Sequence, residues 1–444
     1  MSSAPPPRQS PLRILSPDKP VLTWLIGGAF FLVGLIRLQY PHAWAFDERF
    51  YIPAAVQLYK GEGVFNREHP MLAKEIMAVV MTVLGYSPLT WRFGSLVFGT
   101  IGLLGFARGA AHWSGSDRTG NLTAFLLATN FLVLAMSRSA ILDPYLFGFC
   151  GLGVLFLARY AAGGQRWALA LGGLALGLAV ACKWTAAPVL ALACVVYAIH
   201  VRFAPRALAW GVLLLGIVPI AAYFATYLPA MAMRENGIAP HEWVALHRAM
   251  LDFHAGFFPA NFYNSDWKDW LLNTGPTWSY HEFDDDMLRI GVIGFNPLQA
   301  PLIVLASLAG LLAGLRRDWR LFVPAAFFAA LIAVWALNDR TNQYMHYYLL
   351  PSSFATIALA MLAQRIIASH RLRAAIAIVV GVAPMVWFWP VLTSAQIHGH
   401  NSEARYTALP GWDISHNPKE FRPVGPPESY KRRLYCLDHP RECY

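Results

Sequence analysis

The stretch Ala45-Phe46-Asp47-Glu48-Arg49-Phe50-Tyr51 decides how the chain is read. It stands just beyond residues 21–39, an apolar run long enough to cross a bilayer core, which takes about 20 residues as a helix. Two adjacent carboxylates at the mouth of a membrane helix are a costly placement. Ionisable groups at membrane depth are rare and mark functional sites. The next charged cluster, Arg67-Glu68-His69-Pro70-Met71-Leu72-Ala73-Lys74, lies in the same connection before the second span.

Composition sets the class. Of 444 residues, 57% are hydrophobic and 14% charged, against about 25% charge in a soluble domain. The apolar residues come in long blocks, which reads as an all-α polytopic membrane protein. Spans are expected near 21–39, 93–112, 121–137, 142–160, 167–183, 185–201, 207–229, 298–316, 320–337, 345–366 and 371–391, about eleven transmembrane helices. The 16 Trp and 18 Tyr suit aromatic belts at the two interfaces.

Charge orients the spans. With the N-terminus inside, the cytoplasmic segments carry Arg8, Arg13, Lys19, Arg108, Arg118, Arg159, Arg166, Arg202, Arg206, Arg316, Arg317, Arg320, Arg365, Arg371 and Arg373. The short outer connections carry Arg138, Lys183 and Arg340. This bias accounts for the net charge of +10 without a nucleic-acid partner. It also splits the apolar stretch 168–200 into two spans at Lys183, because the arginines flanking it on both sides belong in the cytoplasm. Residues 1–20 are then a cytoplasmic segment, 21–391 a transmembrane domain with long outer connections at 41–92 and 230–297, and 392–444 an outer tail. No cleavable signal peptide is read, so the first span is expected to be a retained anchor. Met71–Tyr86 is expected as a helix along the interface. The aromatic-rich 230–297 connection is expected to lie on the membrane surface. Cys150, Cys182 and Cys194 read as small core residues. For Cys436 and Cys443 in the tail, a disulfide and two free thiols both stand open.

Several outer-face residues carry chemistry. Asp47 is the candidate general base for an acceptor hydroxyl, since a carboxylate accepts a proton as the oxygen attacks. Glu48 is its neighbour in the same candidate catalytic pair, and the alternative for both is a solvated helix boundary. His69, Lys74, Lys183 and Arg340 are candidates to bind a phosphate, with snorkelling as the alternative for the lysines. Glu68, Arg92, Arg138, Asp143, His254 and His346 are candidate acceptor-binding or structural groups. Asp143 precedes Pro144 and equally suits a helix start. His241, His247 and His254 share a connection with Asp284-Asp285-Asp286, but their spacing fits no compact metal site. The sequence names no cofactor and leaves a divalent metal open. No phosphate-binding P-loop, dinucleotide fingerprint or Ser-His-Asp signature occurs. An outer site without a nucleotide pocket points to a sugar already carried on a polyprenyl phosphate.

The ordered motifs resemble the protein O-mannosyltransferase family. Phe46-Asp47-Glu48, His69-Pro70-Met71-Leu72-Ala73-Lys74, Trp91-Arg92-Phe93-Gly94-Ser95, Ile141-Leu142-Asp143-Pro144, Lys183-Trp184-Thr185, Phe295-Asn296-Pro297 and Arg340 through Tyr348 with Pro351 carry the resemblance. Phe253-His254, Ser265 and Trp270 add a partial match. Met71 and Ala73 depart from the family's Pro and Gly, and Asp266-Trp267-Lys268 from its Pro-Trp. The resemblance covers about residues 45–395 and is to compact bacterial members that lack an inserted β-domain. It implies a GT-C fold with eleven spans and mannose transfer from a polyprenyl-phosphate donor, with inversion, to Ser or Thr of a secreted or membrane protein. It places the site on the outer face of the plasma membrane, with Asp47 as the catalytic residue. The alternative within the fold is a lipid or glycan acceptor, as for the lipid A aminoarabinose transferases. A non-enzymatic translocase of lipid-linked sugar is a third reading, but the charged residues gather at one face.

Overall fold

The computed structural model describes residues 19–233, 235–255, 263–284, 287–338, 340, 342–398 and 404–412. The Cys436–Cys443 question, Asp285, Asp286, Asp339 and nearly all of the 1–20 segment lie outside these residues. The first half of the chain is helical: α1 Val21–Leu35, α2 Glu48–Lys60, α3 Leu72–Leu84, α4 Pro88–Ser114, α5 Asp117–Ala128, α6 Phe131–Ser137, α7 Asp143–Gly163, α8 Arg166–Cys182 and α9 Ala187–His200. Then come a long helix α10 (Pro205–Ala232) with a π-helical turn inside it, α11 Trp243–Ala255 and α12 Trp267–Leu272. After a β-hairpin, α13 Gln299–Leu315, α14 Trp319–Ala336, α15 Leu349–Ile366 and α16 His370–Trp387 complete the bundle.

Among the described residues, six helices are long and apolar enough to cross a membrane: α4, α7, α10, α14, the segment Met345–Ile366 that contains α15, and α16. The pair α5 and α6, bent by 67°, makes a seventh if counted as one span. Val21–Leu35, Arg166–Cys182, Trp184–His200 and Gln299–Leu315 are shorter apolar helices at positions where spans were expected. The chain is a multi-pass membrane protein. At Lys183 the helix breaks, with φ −162° and ψ 136°, before a short 3-10 turn leads into α9.

Local chemistry explains the boundaries that matter for the site. Ser87 and Thr90 form a reciprocal capping box at the start of α4, with Pro88 at its first position. Gly115, left-handed at φ 74°, ends that helix. Helices α4 and α7 touch through glycine. A Cβ on Gly105 would lie 2.3 Å from the backbone of Gly151, and one on Gly151 would lie 2.5 Å from the Gly102 carbonyl. Close backbone approach through small residues is how membrane helices pack without a hydrophobic drive between them. It brings the start of α7, with Asp143, beside α4, with Arg92.

Two features were not among the expectations. Residues 48–60 form a helix despite Pro53, because Tyr51, Ile52, Ala55 and Val56 bury one face in the core. That packing outweighs the cost of an interior proline. The 230–297 connection contains a hairpin, β1 Thr277–Asp284 antiparallel to β2 Met287–Ile293, and β2 pairs with β3 Ile397–His398. A register irregularity falls between Trp278 and Tyr280. The aromatics of β1 read as membrane-surface residues, but Trp278 and Tyr280 are buried against the bundle.

Candidate active site

Asp47 is the N-cap residue of α2, yet its side chain makes no capping hydrogen bond. The carboxylate is therefore not consumed by the helix start, where an Asp is normally used. It is partly buried, and burial is the main reason its pKa rises to about 6. Lys183 opposes that rise, Asp143 adds to it, and Arg49 and Arg340 oppose it. Those charges come from α2, the start of α7, the break after α8 and the segment before α15, so four parts of the chain converge on Asp47.

Glu48 points elsewhere. Arg92 Nε donates to its Oε1 at 2.7 Å and Arg92 Nη2 to its Oε2 at 2.6 Å. The backbone amides of Ala140 and Ala45 complete the set at 2.8 and 2.9 Å. Both side chains are 1% exposed. Arg92 Nη1 also donates to the carbonyls of Leu38 and Pro41, and Nη2 to that of Ala43. Arg138 holds the preceding residues: Nη1 donates to the Gly34 and Ile36 carbonyls at 2.7 Å, and Nη2 to the Arg37 carbonyl and Ser394 Oγ at 3.3 Å. Two buried arginines thus fasten the connection from α1 to α2. They line a separate polar cavity of about 30 Å³ with Glu48, Tyr280 and Ser394.

The open cleft is on the other side. It has a volume of about 200 Å³ and is lined by His69, Lys183, Trp184, His254, Asn338, Arg340, Trp335 and Tyr347. Lys183 Nζ contacts both Asp143 oxygens at 3.0 and 2.9 Å and lies 4.8 Å from the Tyr347 ring centre. Asp143, a candidate helix start, is the first residue of α7, and its carboxylate pairs with Lys183. The His69 and His254 rings stand 5.0 Å apart, with Tyr51 5.7 Å from His69. His254 Nε2 donates to the Glu68 carbonyl at 2.9 Å, which leaves Nδ1 to accept from Arg340 Nη1 at 3.3 Å. Burial pulls the pKa of His254 down, and that of His69 well down, with Lys183 adding to the effect on His69. The two rings offer nitrogen donors and acceptors beside Arg340 and the Lys183–Asp143 pair, a combination suited to an anionic ligand.

Lys74, expected among the phosphate ligands, is turned away from this cleft. It is 0% exposed, and Nζ donates to the carbonyls of Asn66 at 2.5 Å, His69 at 2.9 Å and Phe65 at 3.4 Å. It ties down the loop that carries His69. Arg67 ties the same loop to the far side through the Asn236 and Gly237 carbonyls. The Glu68 carboxylate accepts from Asn66 Nδ2. His346 packs between Phe46 and Tyr347 and shares a small cavity with Asp143. His247 belongs to a different network. Its Nδ1 donates to the Trp243 carbonyl, so Nε2 accepts from Tyr223, which in turn accepts from Trp184. Among the described residues no group of three or more His, Cys, Asp or Glu could hold a metal ion. Tyr51 and Trp335 entered the site unannounced. Tyr51 alone had a signal, its place four residues after Asp47 at one helical turn.

Comparison with known proteins places this arrangement. The family model for dolichyl-phosphate-mannose-protein mannosyltransferases matches residues 89–233. The polyprenol-phosphate-mannose–protein mannosyltransferase of Mycolicibacterium smegmatis is 23% identical, across 79% of this chain and 84% of its own length. That of Mycobacterium tuberculosis is 24% identical, across 79% and 83%. The fold matches a Saccharomyces cerevisiae Pmt1-Pmt2 complex bound to the sugar donor, with a TM-score of 0.75, 12% identity, and coverage of 93% and 94%. ArnT from Cupriavidus metallidurans bound to undecaprenyl phosphate aligns with a TM-score of 0.54 and 16% identity, across 84% of this chain and 64% of ArnT. The protein is a membrane glycosyltransferase with the GT-C fold. Within that class, residues 89–233 are similar to the protein O-mannosyltransferase family.

Proposed function

We propose that the enzyme transfers mannose from a polyprenyl-phosphate donor to Ser or Thr hydroxyls of proteins on the outer, periplasmic face of the inner membrane, inverting the anomeric centre. One observation carries this reading: the cationic cleft sits on top of an apolar one. The upper cleft is lined by Pro188 at the start of α9 and by Leu331, Val334 and Trp335 of α14. An apolar cleft of about 110 Å³ follows along the same two helices, lined by Val189, Ala193 and Val196 and by Val323, Pro324 and Phe327. A phosphate held above and an isoprenoid chain laid below is the shape of a lipid-phosphate sugar. The relatives named above support mannose and a protein acceptor.

In this reading Lys183, Arg340, His254 and His69 hold the phosphate and orient the sugar. Asp47 takes the proton of the acceptor hydroxyl as its oxygen bonds to the anomeric carbon. The anomeric C–O bond to phosphate breaks, and the electron pair leaves with the polyprenyl phosphate. That leaving group departs as an anion and needs little acid assistance. Purified enzyme in liposomes should move labelled mannose from a polyprenyl-phosphate donor onto a secreted acceptor protein. Mass spectrometry of cells with and without the gene should show hexose lost from Ser and Thr of outer-compartment glycopeptides. A change confined to lipid A would overturn the protein acceptor.

A further inference from the structure

We propose that Phe46 is a positioning residue for the transfer: a left-handed backbone and an aromatic seat for its ring together aim Asp47 away from Glu48. This rests on the reading of Asp47 as the proton acceptor. Phe46 has φ +48°, a region that side-chain-bearing residues rarely enter and bulky ones least of all. Asp47 follows with φ −74° and ψ −7°. A positive φ and then a near-helical residue is the pattern of a reverse turn that normally takes glycine at its first central position. The turn is closed twice. The Glu48 amide donates to the Ala45 carbonyl at 3.0 Å, and the Ala45 amide donates to Glu48 Oε2 at 2.9 Å.

Glycine would relax this turn, yet the position holds a phenylalanine, so its ring has a use. The ring is 8% exposed. It meets three others edge-on: Tyr263 at 5.3 Å, His346 at 5.5 Å and Tyr344 at 6.1 Å. Tyr263 belongs to the long outer connection; Tyr344 and His346 belong to the segment before α15 that also carries Arg340. The ring therefore keys the Asp47 turn to the wall that holds the donor cations. The turn sends Glu48 back to Arg92 and leaves the Asp47 carboxylate within the field of Lys183, Asp143 and Arg340. Backbone strain that persists only because its surroundings over-determine it is found at working sites.

The test compares Phe46→Tyr, Phe46→Gly and Phe46→Ala in the purified full-length protein. Unfolding midpoints need no substrate. Phe46→Gly should melt at or above Phe46→Ala, because glycine alone is at ease at positive φ. Phe46→Tyr should keep turnover within a few-fold of wild type. Phe46→Gly and Phe46→Ala should lose roughly 10²-fold in kcat, the scale of a misplaced reacting group. Affinity for a labelled polyprenyl-phosphate mannose should stay unchanged in all three, since none touches the cleft cations. A midpoint for Phe46→Ala above that of Phe46→Gly overturns the backbone half. Wild-type turnover in Phe46→Ala, or donor affinity falling in step with kcat, overturns the positioning role. Absence of transfer from this donor by the wild-type enzyme overturns the proposed function instead, and the melting order still decides the turn.

Discussion

Arg92 grips both oxygens of Glu48, at 2.7 and 2.6 Å, inside a region where each side chain is 1% exposed. The second carboxylate of the Asp47-Glu48 pair is therefore a strut. With Arg92 and two backbone amides as its partners, it closes the turn. Removing one member of a buried, hydrogen-bonded ion pair strands the other, at a cost of about 3–5 kcal/mol. Glu48→Gln and Arg92→Met should each lower the unfolding midpoint of the purified protein by that scale of free energy. Fully stable Glu48→Gln protein with weakened acceptor binding would assign Glu48 to the acceptor site.

Lys74 is expected to act at one remove. Its ammonium satisfies carbonyls of Phe65, Asn66 and His69. Lys74→Met leaves buried acceptors unmet, each at about 1–3 kcal/mol. The loop should loosen, with a lower melting temperature and reduced turnover through a displaced His69. If Lys74 instead bound the donor phosphate, the variant would fold normally and lose donor affinity, a split that paired melting and binding curves resolve.

Arg340 lines the open cleft and donates to His254. As a phosphate ligand it should contribute about 1.5–3 kcal/mol, the range for a hydrogen bond to a charged group. Arg340→Ala should weaken binding of labelled polyprenyl-phosphate mannose by that amount. Binding as tight as that of the parent would assign the guanidinium to the aromatic wall alone.

Orientation is tested by reporter fusions after residues 115, 163, 204, 318 and 368, all of which should report cytoplasm. The grounds are the bias of arginines to the connections that include Arg108, Arg118, Arg202 and Arg316. A periplasmic signal at 204 would join α8 and α9 into one crossing.

The bundle was legible in the sequence because membrane helices announce themselves by length and apolarity. The clustering of Asp47, His69, Lys183 and Arg340 was legible for a related reason. Once the spans are placed, charged residues at one set of helix ends converge on one face. Side-chain direction was not. Lys74 and Glu48 carry the same charges as their neighbours, and what turns them from the cleft is a local fit to backbone carbonyls and to Arg92. Nothing in composition distinguishes a lysine that meets a ligand from one that meets its own loop. Helix α2 and the 277–293 hairpin were hidden because tertiary burial, not propensity, stabilises them. Pro53 argues against the one, and the aromatics of the other suit a membrane surface equally well.

Asp47 carries the sharpest expectation. Its pKa of about 6, raised chiefly by burial, leaves the carboxylate mostly ionised at neutral pH and poised as a base. Turnover should fall as pH drops through about 6. The sign of the stability effect is opposite. The folded carboxyl holds its proton more tightly than the unfolded one, whose pKa is near 3.8. This group therefore favours the folded state at low pH, and that contribution disappears as pH rises through about 6. An acid limb in kcat cannot then be blamed on unfolding driven by Asp47, and a melting curve at each pH keeps the two apart. Asp47→Asn should fold, bind donor and lose about 10²–10⁴-fold in turnover, the range for removal of a general base. The residual rate should also lose its acid limb. Asp47→Asn turning over within a few-fold of wild type, with the limb intact, would move the proton acceptor to another residue of the site.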